Sequence, residues 1–208
     1  MSSAANYLRS LGDAVATQLG DDYSFLKTRL TIKRPLPNGS LTLTLSGSNK
    51  YSPYIFVAFY FGVAFPEVSS LEKRLGIYQF PMHVQQYSPN CSLRNPTNYI
   101  GPCSWEVDIT RPPNGLVNEV AVAIEALAMP FYETYGSLLA ARNAIASNDP
   151  NVFGGPAFWA QLLRLDLALD DLGHFEKWSE RLDSPSLAQA AEVVRKHSAS
   201  TPRAHRDA

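Results

Sequence analysis

The sequence predicts a single α+β domain, with an N-terminal helix and an antiparallel sheet followed by a C-terminal set of helices that includes a helical hairpin. Before about residue 112, alternating and β-branched or aromatic segments dominate, and after residue 114 they give way to Ala- and Leu-rich stretches. With 208 residues, 45% of them hydrophobic, one shared core is expected. We expect a domain over residues 1–200, with a sheet half at about 20–112, a helical half at about 114–197 and a flexible tail at 198–208.

The first elements follow from periodicity and turn residues. An apolar stripe at three- and four-residue steps predicts an opening helix that Gly20 ends; its members are Tyr7, Leu8, Leu11, Val15 and Leu19. Thr28–Lys33 and the LTLTL alternation of Leu41–Leu45 flank the turn residues Asn38 and Gly39, which predicts a β-hairpin.

The rest of the sheet half centres on one aromatic strand. In Tyr54–Phe65 both sets of alternate residues are apolar, which predicts a central strand covered on both faces. A short helical or turn segment after Pro66 is expected next. The proline-rich stretch Pro81–Pro102 predicts a long ordered loop, with at most a short strand around Cys91–Arg94. Ser104–Ile109 alternates and predicts another strand.

Residues Arg111–Gly115 (RPPNG) close the sheet half. Beyond them the composition favours helix, with Gly173 at the turn of a helical hairpin. The predicted helices are Leu116–Met129 with Pro130 behind it, Gly136–Ser147, a segment from Pro156 to Gly173, His174–Leu182 and Pro185–His197.

Composition excludes several functional classes. Eighteen basic residues against nineteen acidic ones give a formal charge of −1, which argues against a nucleic-acid partner. The N-terminus lacks the pattern of a signal peptide, and the apolar run Tyr54–Phe65 is too short to span a bilayer, so a cytoplasmic protein without a membrane role is expected. Cys91 and Cys103 are expected to be reduced there, although a disulfide between them, or a zinc site with His83, remains an alternative.

Motifs for chemistry are missing. The sequence contains no GxSxG, Walker A, GxGxxG, HExxH or EF-hand pattern, so no catalytic centre, metal or cofactor is predicted. Asp166 and Asp170 share a helix face with Asp171 beside them, and a solvated face with Arg164 nearby is expected there. Glu125 and Glu133 receive no role, because acid–base work depends on an environment that the sequence does not display.

Aromatic residues around the proline-rich loop predict a partner surface. Tyrosines and a tryptophan are common at recognition surfaces, and here they flank a segment with almost no formal charge. The predicted contact residues are Tyr78, His83, Tyr87, Arg94, Tyr99 and Trp105. The alternative is that the tyrosines pack beneath the loop and fix its path.

The chain contains three notable segments in this order: FVAFYFGVAFPEV, CSLRNPTNYIGPCSWEVDI and MPFYETYGSLLAARNAI, the last of which precedes a leucine-rich helical hairpin. Together they resemble an uncharacterised bacterial α+β domain family over about residues 14–182. The residues that carry the resemblance are Phe56, Gly62, Pro66, Cys91, Arg94, Trp105, Pro130 and Phe131. Members of that family resemble the immunity proteins of interbacterial toxin systems.

The resemblance implies a non-enzymatic protein-binding module that neutralises a toxin by binding it, with the toxin encoded by a neighbouring gene. It carries over no catalytic residues. The alternatives are a small hydrolase or transferase whose site is assembled from dispersed residues, with His83, Cys91 or Glu125 involved, and a homo-oligomeric structural protein. The sequence leaves the oligomeric state open.

Overall fold

A computed structural model of the chain describes residues 3–51, 53–75, 84–86, 103–149, 152, 156–179, 192, 195 and 196. Within them an N-terminal helix precedes an antiparallel sheet and several C-terminal helices, which confirms the predicted α+β class. In chain order the elements are α1 (Ala4–Leu19), β1 (Ser24–Leu26), β2 (Thr31–Leu36), β3 (Gly39–Tyr51), β4 (Tyr54–Ala64), α2 (Pro66–Leu75), β5 (Val84–Gln86), β6 (Ser104–Asp108), α3 (Asn114–Tyr135), α4 (Leu138–Ala146), α5 (Pro156–Ala168) and α6 (Leu172–Ser179).

The described strands form one antiparallel sheet in the order β1-β2-β3-β4. On the far side of β4, β6 pairs with its first half and β5 with its second half. These two short strands therefore occupy one position in the sheet, and β4 is hydrogen-bonded on both sides. The prediction of β4 as a central strand is confirmed.

The predicted hairpin is present as β2 and β3, but its bounds differ. Leu36 pairs with Gly39, so Pro37 and Asn38 form the two-residue turn, one position before the predicted one. β2 begins at Thr31, and the unpredicted strand β1 pairs with its first three residues only. Pro35 therefore lies beyond the end of β1, so the N–H that proline lacks interrupts no hydrogen bond between β1 and β2.

One face of the sheet, called the inner face here, carries the core. Alternate residues of β3, β4 and β6 point to it, because side chains alternate across a strand. Its fully buried members on β3 and β4 include Leu41, Leu43, Phe59, Phe61 and Val63. The expectation that β4 is covered on both faces is wrong for the first residues of the strand, since Tyr54 and Phe56 on the opposite, outer face are 47% and 40% exposed, whereas Gly62 on the same face is buried.

Helices α1 and α3 pack against this inner face and against each other. The apolar stripe predicted for α1 is buried, and Gly20 at φ 105° ends the helix as expected. Gly12 lies where the Phe25 ring meets the helix, and a methyl group there would overlap that ring. From α3, Phe131 sets its ring edge-on to Phe61, with centroids 5.0 Å apart.

Helix α3 runs through the proline that was expected to follow it. Pro130 lies inside α3, so the helix extends six residues past the predicted end at Met129 to Tyr135. Among the described helices, α3 alone is long and apolar enough to cross a membrane by length and composition, a test that core helices of soluble proteins also pass. Because nine of its residues are buried and it packs on α1 and β4, the structure is compatible with a soluble protein.

The remaining helices form a second layer of contacts around α5. This helix packs against α2, α4 and α6, and α3 connects to the group through α4. The predicted segment after Pro66 is helical, and α4 matches its prediction closely. The helical hairpin is confirmed by the contact of α5 with α6. The predicted turn at Gly173 is wrong, because α5 ends at Ala168 and α6 begins at Leu172, so the turn lies at residues 169–171 and Gly173 is inside α6. Glu192, Arg195 and Lys196, within the last predicted helix, are helical.

The loop predicted over Pro81–Pro102 contains β5, which lies at Val84–Gln86 and pairs with Phe61, Gly62 and Val63 of β4. The sequence placed a possible strand at Cys91–Arg94, which falls outside the described residues. Sequence patterning missed β5 because three residues are too short to display an alternation.

Candidate functional site

The outer face of the sheet exposes two neighbouring aromatic side chains of β4. Its β4 members are Tyr54, Phe56, Ala58, Tyr60, Gly62 and Ala64, and the register of the ladder fixes their neighbours on β3 and β6. Tyr54 and Phe56 are among the most exposed large hydrophobic side chains, at 47% and 40%. They stand two residues apart on one strand and therefore point the same way.

Two carboxylates lie directly beside these rings. In the ladder between β4 and β6, Asp108 is opposite Tyr54 and Glu106 is opposite Phe56, so all four side chains share the outer face. We call Tyr54, Phe56, Glu106 and Asp108 the aromatic–acidic patch. On the other side Phe56 is opposite Ser48 of β3, a small exposed residue that leaves the ring uncovered.

The Asp108 carboxylate is held ionised by its surroundings. Thr110 donates to its Oδ1 twice, from the hydroxyl at 2.6 Å and from the backbone N–H at 2.9 Å. These hydrogen bonds lower the pKa of Asp108 below its usual value, and the Arg111 guanidinium, 3.6 Å away, acts in the same direction. The patch therefore keeps a negative charge well into the acidic range.

A cavity of about 300 Å³ lies at the other end of the sheet, next to the start of α2. We call it the hydroxyl-lined cavity, because its walls combine hydroxyl groups with two cations and a few apolar side chains. It is lined by Leu26, Arg29, Thr31, Lys33, Ser40, Thr42, Ala64, Phe65, Pro66 and Ser69.

The helical half contains a buried ionic cluster. His174 Nδ1 lies 2.6 Å from Oδ1 of Asp166, whose side chain is fully buried on α5. Arg142 from α4 approaches both Asp166, at 3.9 Å, and Asp171, at 3.3 Å. Asp171 also accepts the backbone N–H of His174 and so caps α6. The cluster therefore ties α4, α5 and α6 together.

Burial raises the pKa of Asp166 to about 6, against the opposing pull of His174 and Arg142. A buried carboxylate that orients a histidine ring is one element of acid–base catalysis, which also requires a substrate within reach of the ring. In the described residues the cluster joins three helices, and its geometry supports a packing role. Its Asp166 Oδ2 atom is buried without a hydrogen-bond partner there.

The prediction of a solvated face for the aspartates of α5 is wrong for Asp166, which is fully buried, while Asp170 is exposed as expected. Arg164 does not offset these carboxylates, because it is buried and donates to Glu72 of α2 at 3.0 Å. The error has a simple origin. α5 is enclosed by three other helices, so even its charged positions are buried and paired.

Five of the predicted contact residues lie outside the described residues, namely Tyr78, His83, Tyr87, Arg94 and Tyr99. The sixth, Trp105, points to the inner face, where it is only 7% exposed and stacks on Phe59. Its Nε1 donates to Glu119 of α3 at 3.1 Å. Trp105 therefore belongs to the core and presents little of its ring to a partner.

The remaining candidates are dispersed. Cys103 is buried just before β6, while Cys91 falls outside the described residues, so their pairing and the zinc alternative stay untested. Glu125 and Glu133 are exposed on α3. Among the described residues no group of three His, Cys, Asp or Glu side chains is placed to hold a metal ion.

Sequence reasoning missed the aromatic–acidic patch, although a signal for it exists. Leu41, Leu43 and Leu45 of the LTLTL segment mark the inner face, and pairing them with β4 places Val63, Phe61 and Phe59 inward. Tyr54 and Phe56 then fall on the opposite parity. Asp166 and His174 offered no such signal, because only the turn at residues 169–171, between α5 and α6, brings them together.

No protein-family model, curated protein or solved structure matches the chain. The interpretation of function therefore rests on the geometry of the described residues and on the sequence motifs given above.

Proposed function

We propose that this chain is a cytoplasmic, immunity-like protein-binding module that neutralises a bacterial toxin by binding it, and that it docks through the aromatic–acidic patch. The observation that supports this is the pair of rings, Tyr54 and Phe56, exposed side by side on a sheet face. Exposed neighbouring aromatics are typical of interface centres, where they supply most of the binding free energy.

The strand that carries the rings makes them efficient contact groups. β4 is hydrogen-bonded on both sides, so its backbone loses little freedom when a partner binds. Phe56 is flanked on β3 by Ser48, and Ala58 is flanked by Ser46 and Ser104, so the neighbouring side chains are small. A partner can therefore reach the Phe56 ring from the β3 side.

The two carboxylates specify the chemistry of the partner. Glu106 is exposed, and Asp108 is kept ionised by Thr110. Arg111, which pairs with Asp108, is 82% exposed, and such a surface pair contributes little free energy, so a partner cation can replace it. A lysine or arginine of the partner could contact a carboxylate and an aromatic face together. The proposed occupant is a basic surface of the toxin.

The test is co-expression of this chain with the product of the adjacent gene, with growth rescue and co-purification as readouts. The double variant Tyr54→Ala/Phe56→Ala is expected to weaken binding at least about 100-fold, in line with interface hot spots. Charge reversal at Glu106→Lys is expected to slow association. Matched controls are Leu139→Ala, which removes a 51% exposed apolar side chain from α4, and Glu125→Lys, which reverses an exposed charge on α3.

Each outcome has a definite meaning. Rescue that the two controls retain and the patch variants lose supports the proposal. Rescue that survives both patch variants removes the patch as the interface. A chain that neither rescues nor co-purifies overturns the immunity role, and a dimer that Phe56→Ala dissociates would make a second copy of the chain the occupant instead.

A further inference from the structure

We infer that the hydroxyl-lined cavity binds the phosphate group of a small organic phosphomonoester. The cavity lies at the α2 end of the sheet, whereas the aromatic–acidic patch lies at the β6 end, and the inference does not depend on the function proposed above. Four features of the lining carry it: two unpaired cations, a hydroxyl that is free to donate, a helix N-terminus and an apolar wall.

Arg29 and Lys33 are cations that no carboxylate neutralises within the described part of the chain. Their neighbours behave differently, because Lys27 pairs with Asp13 at 3.3 Å and Arg34 pairs with Asp22 at 3.6 Å. Both unpaired cations line the same cavity. Their combined charge makes the cavity attractive to a doubly charged anion.

Ser40 provides an independent sign of a ligand. It is only 7% exposed and lines the cavity, yet its hydroxyl makes no hydrogen bond in the described structure. The two threonines of the wall differ, since Thr31 is bonded to Thr44 and to the Arg29 carbonyl, and Thr42 donates to the Gly62 carbonyl. The Ser40 hydroxyl is therefore open to the cavity and can donate a hydrogen bond to a ligand there.

The first turn of α2 borders the cavity through Pro66 and Ser69. This helix is ten residues long, and its N-terminus carries partial positive charge together with N–H groups that lack intrahelical acceptors. Glu67 lies in the same turn but is exposed and does not line the cavity. Helix N-termini of this kind favour phosphate groups.

The size and walls of the cavity define the rest of the ligand. A phosphomonoester carries close to two negative charges at neutral pH and three acceptor oxygens, which matches two cations and a hydroxyl donor. Leu26, Phe65 and Pro66 supply apolar surface for a carbon skeleton. At about 300 Å³ the cavity accommodates a skeleton of only a few carbons beside the phosphate.

Isothermal titration calorimetry of the full chain with glycerol 3-phosphate, inorganic phosphate and glycerol tests the inference. We expect glycerol 3-phosphate to bind at least about tenfold more tightly than inorganic phosphate, and glycerol not to bind. Lys33→Met and Arg29→Met should each weaken binding at least about tenfold, and Ser40→Ala about three- to tenfold. Lys27→Met is the matched control, since it removes a nearby exposed cation that lies outside the cavity.

Thermal melts verify that each variant is folded, which is expected because Lys33 and Arg29 are exposed and Ser40→Ala removes one oxygen only. Absence of binding by both phosphates in the wild-type chain overturns the inference. An equal loss in Lys27→Met and Lys33→Met also overturns it, because it would indicate general charge attraction. Inorganic phosphate binding as tightly as the ester would refute the organic ligand class.

Discussion

Two regions of this protein, here called its sheet half and its helical half, bury different chemistry. The first is the sheet with α1 and α3, and the second is α5 with α2, α4 and α6 around it. Between the inner face of the sheet and helices α1 and α3, the buried side chains are overwhelmingly apolar, with rings such as Phe59, Phe61 and Phe131 at the centre. Around α5, charged side chains are buried as well, in the pair Glu72–Arg164 and in the cluster at Asp166. The first half is therefore stabilised mainly by hydrophobic burial, and the second also depends on ionic pairing that pH can alter.

The largest expected loss of stability comes from a substitution on the inner face of β4, and the matched substitution on its outer face should cost much less. Phe59→Ala should lower the free energy of unfolding by about 3–5 kcal/mol, because it leaves a cavity in the apolar core. Phe56→Ala, three residues earlier on the outer face, should cost less than about 1 kcal/mol. Guanidinium unfolding monitored by circular dichroism compares them. Equal losses would mean that the outer face is also core.

Removing one member of a buried ion pair should have the next largest effect. Arg164→Met leaves the fully buried Glu72 without its arginine and should cost about 3 kcal/mol. The matched variant Arg111→Met breaks the exposed pair with Asp108 in the sheet half and should cost close to zero, under about 0.5 kcal/mol. The same unfolding experiment measures both. A small loss for Arg164→Met would contradict the importance of ionic pairing in the helical half.

Each half contains a carboxylate whose contribution to the free energy of unfolding depends on pH, and the two contributions should change with pH in opposite directions. Because the pKa of Asp166 is raised from 3.8 to about 6, the folded state binds this proton more tightly than the unfolded state. The resulting stability is fully present below pH 3.8 and is lost as the pH rises through about 6. Relative to Asp166→Asn, the free energy of unfolding of the wild-type chain should thus fall by on the order of 2 kcal/mol as the pH rises from 3.8 to about 6.

Asp108 gives the opposite sign in the sheet half. Since hydrogen bonds from Thr110 lower the pKa of Asp108, its contribution is present at neutral pH and is lost as the pH falls through the lowered value. Unfolding of Asp166→Asn and Asp108→Asn between about pH 3 and 7 measures the two slopes. Slopes of the same sign would refute the assigned environments.

Removing a helix N-cap should cause the smallest loss of stability, and this loss should be equal in the two halves. Ser3 caps α1 by accepting the N–H of Asn6, and Ser137 caps α4 by accepting the N–H of Ala140, both at 3.2 Å. Each serine-to-alanine variant should cost about 1 kcal/mol, because capping is a local interaction. A thermal unfolding series checks this. A cost several times larger in one half would show that its cap also supports tertiary packing.

Local signals in the sequence predicted much of the fold. The stripe from Tyr7 to Leu19 and the stop at Gly20 predicted α1, and the alternation at Leu41–Leu45 predicted the hairpin. The change from strand to helix falls at Arg111–Gly115 as expected, although α3 already begins at Asn114. These features were predictable because capping, turn formation and alternation are decided by residues close in the chain.

The candidate sites were less predictable, for particular reasons. Trp105 alternates correctly in its strand, but the side of the sheet to which it points depends on its pairing with Val57. Tyr54 and Phe56 belong to a strand that is apolar at every position, so composition alone could not tell which parity lay inside. The burial of Asp166 depends on helices that enclose α5 from three sides.

The α+β class, most helices and strands, and the point where sheet gives way to helix were predictable, because these depend on short-range periodicity and turn chemistry. Tertiary packing and strand pairing set which face of β4 is exposed and place Glu106 and Asp108 beside its rings. They also bring Arg29, Lys33 and Ser40 together around one cavity. Those juxtapositions depend on strand register and helix packing, which join residues distant in the chain and leave no local pattern.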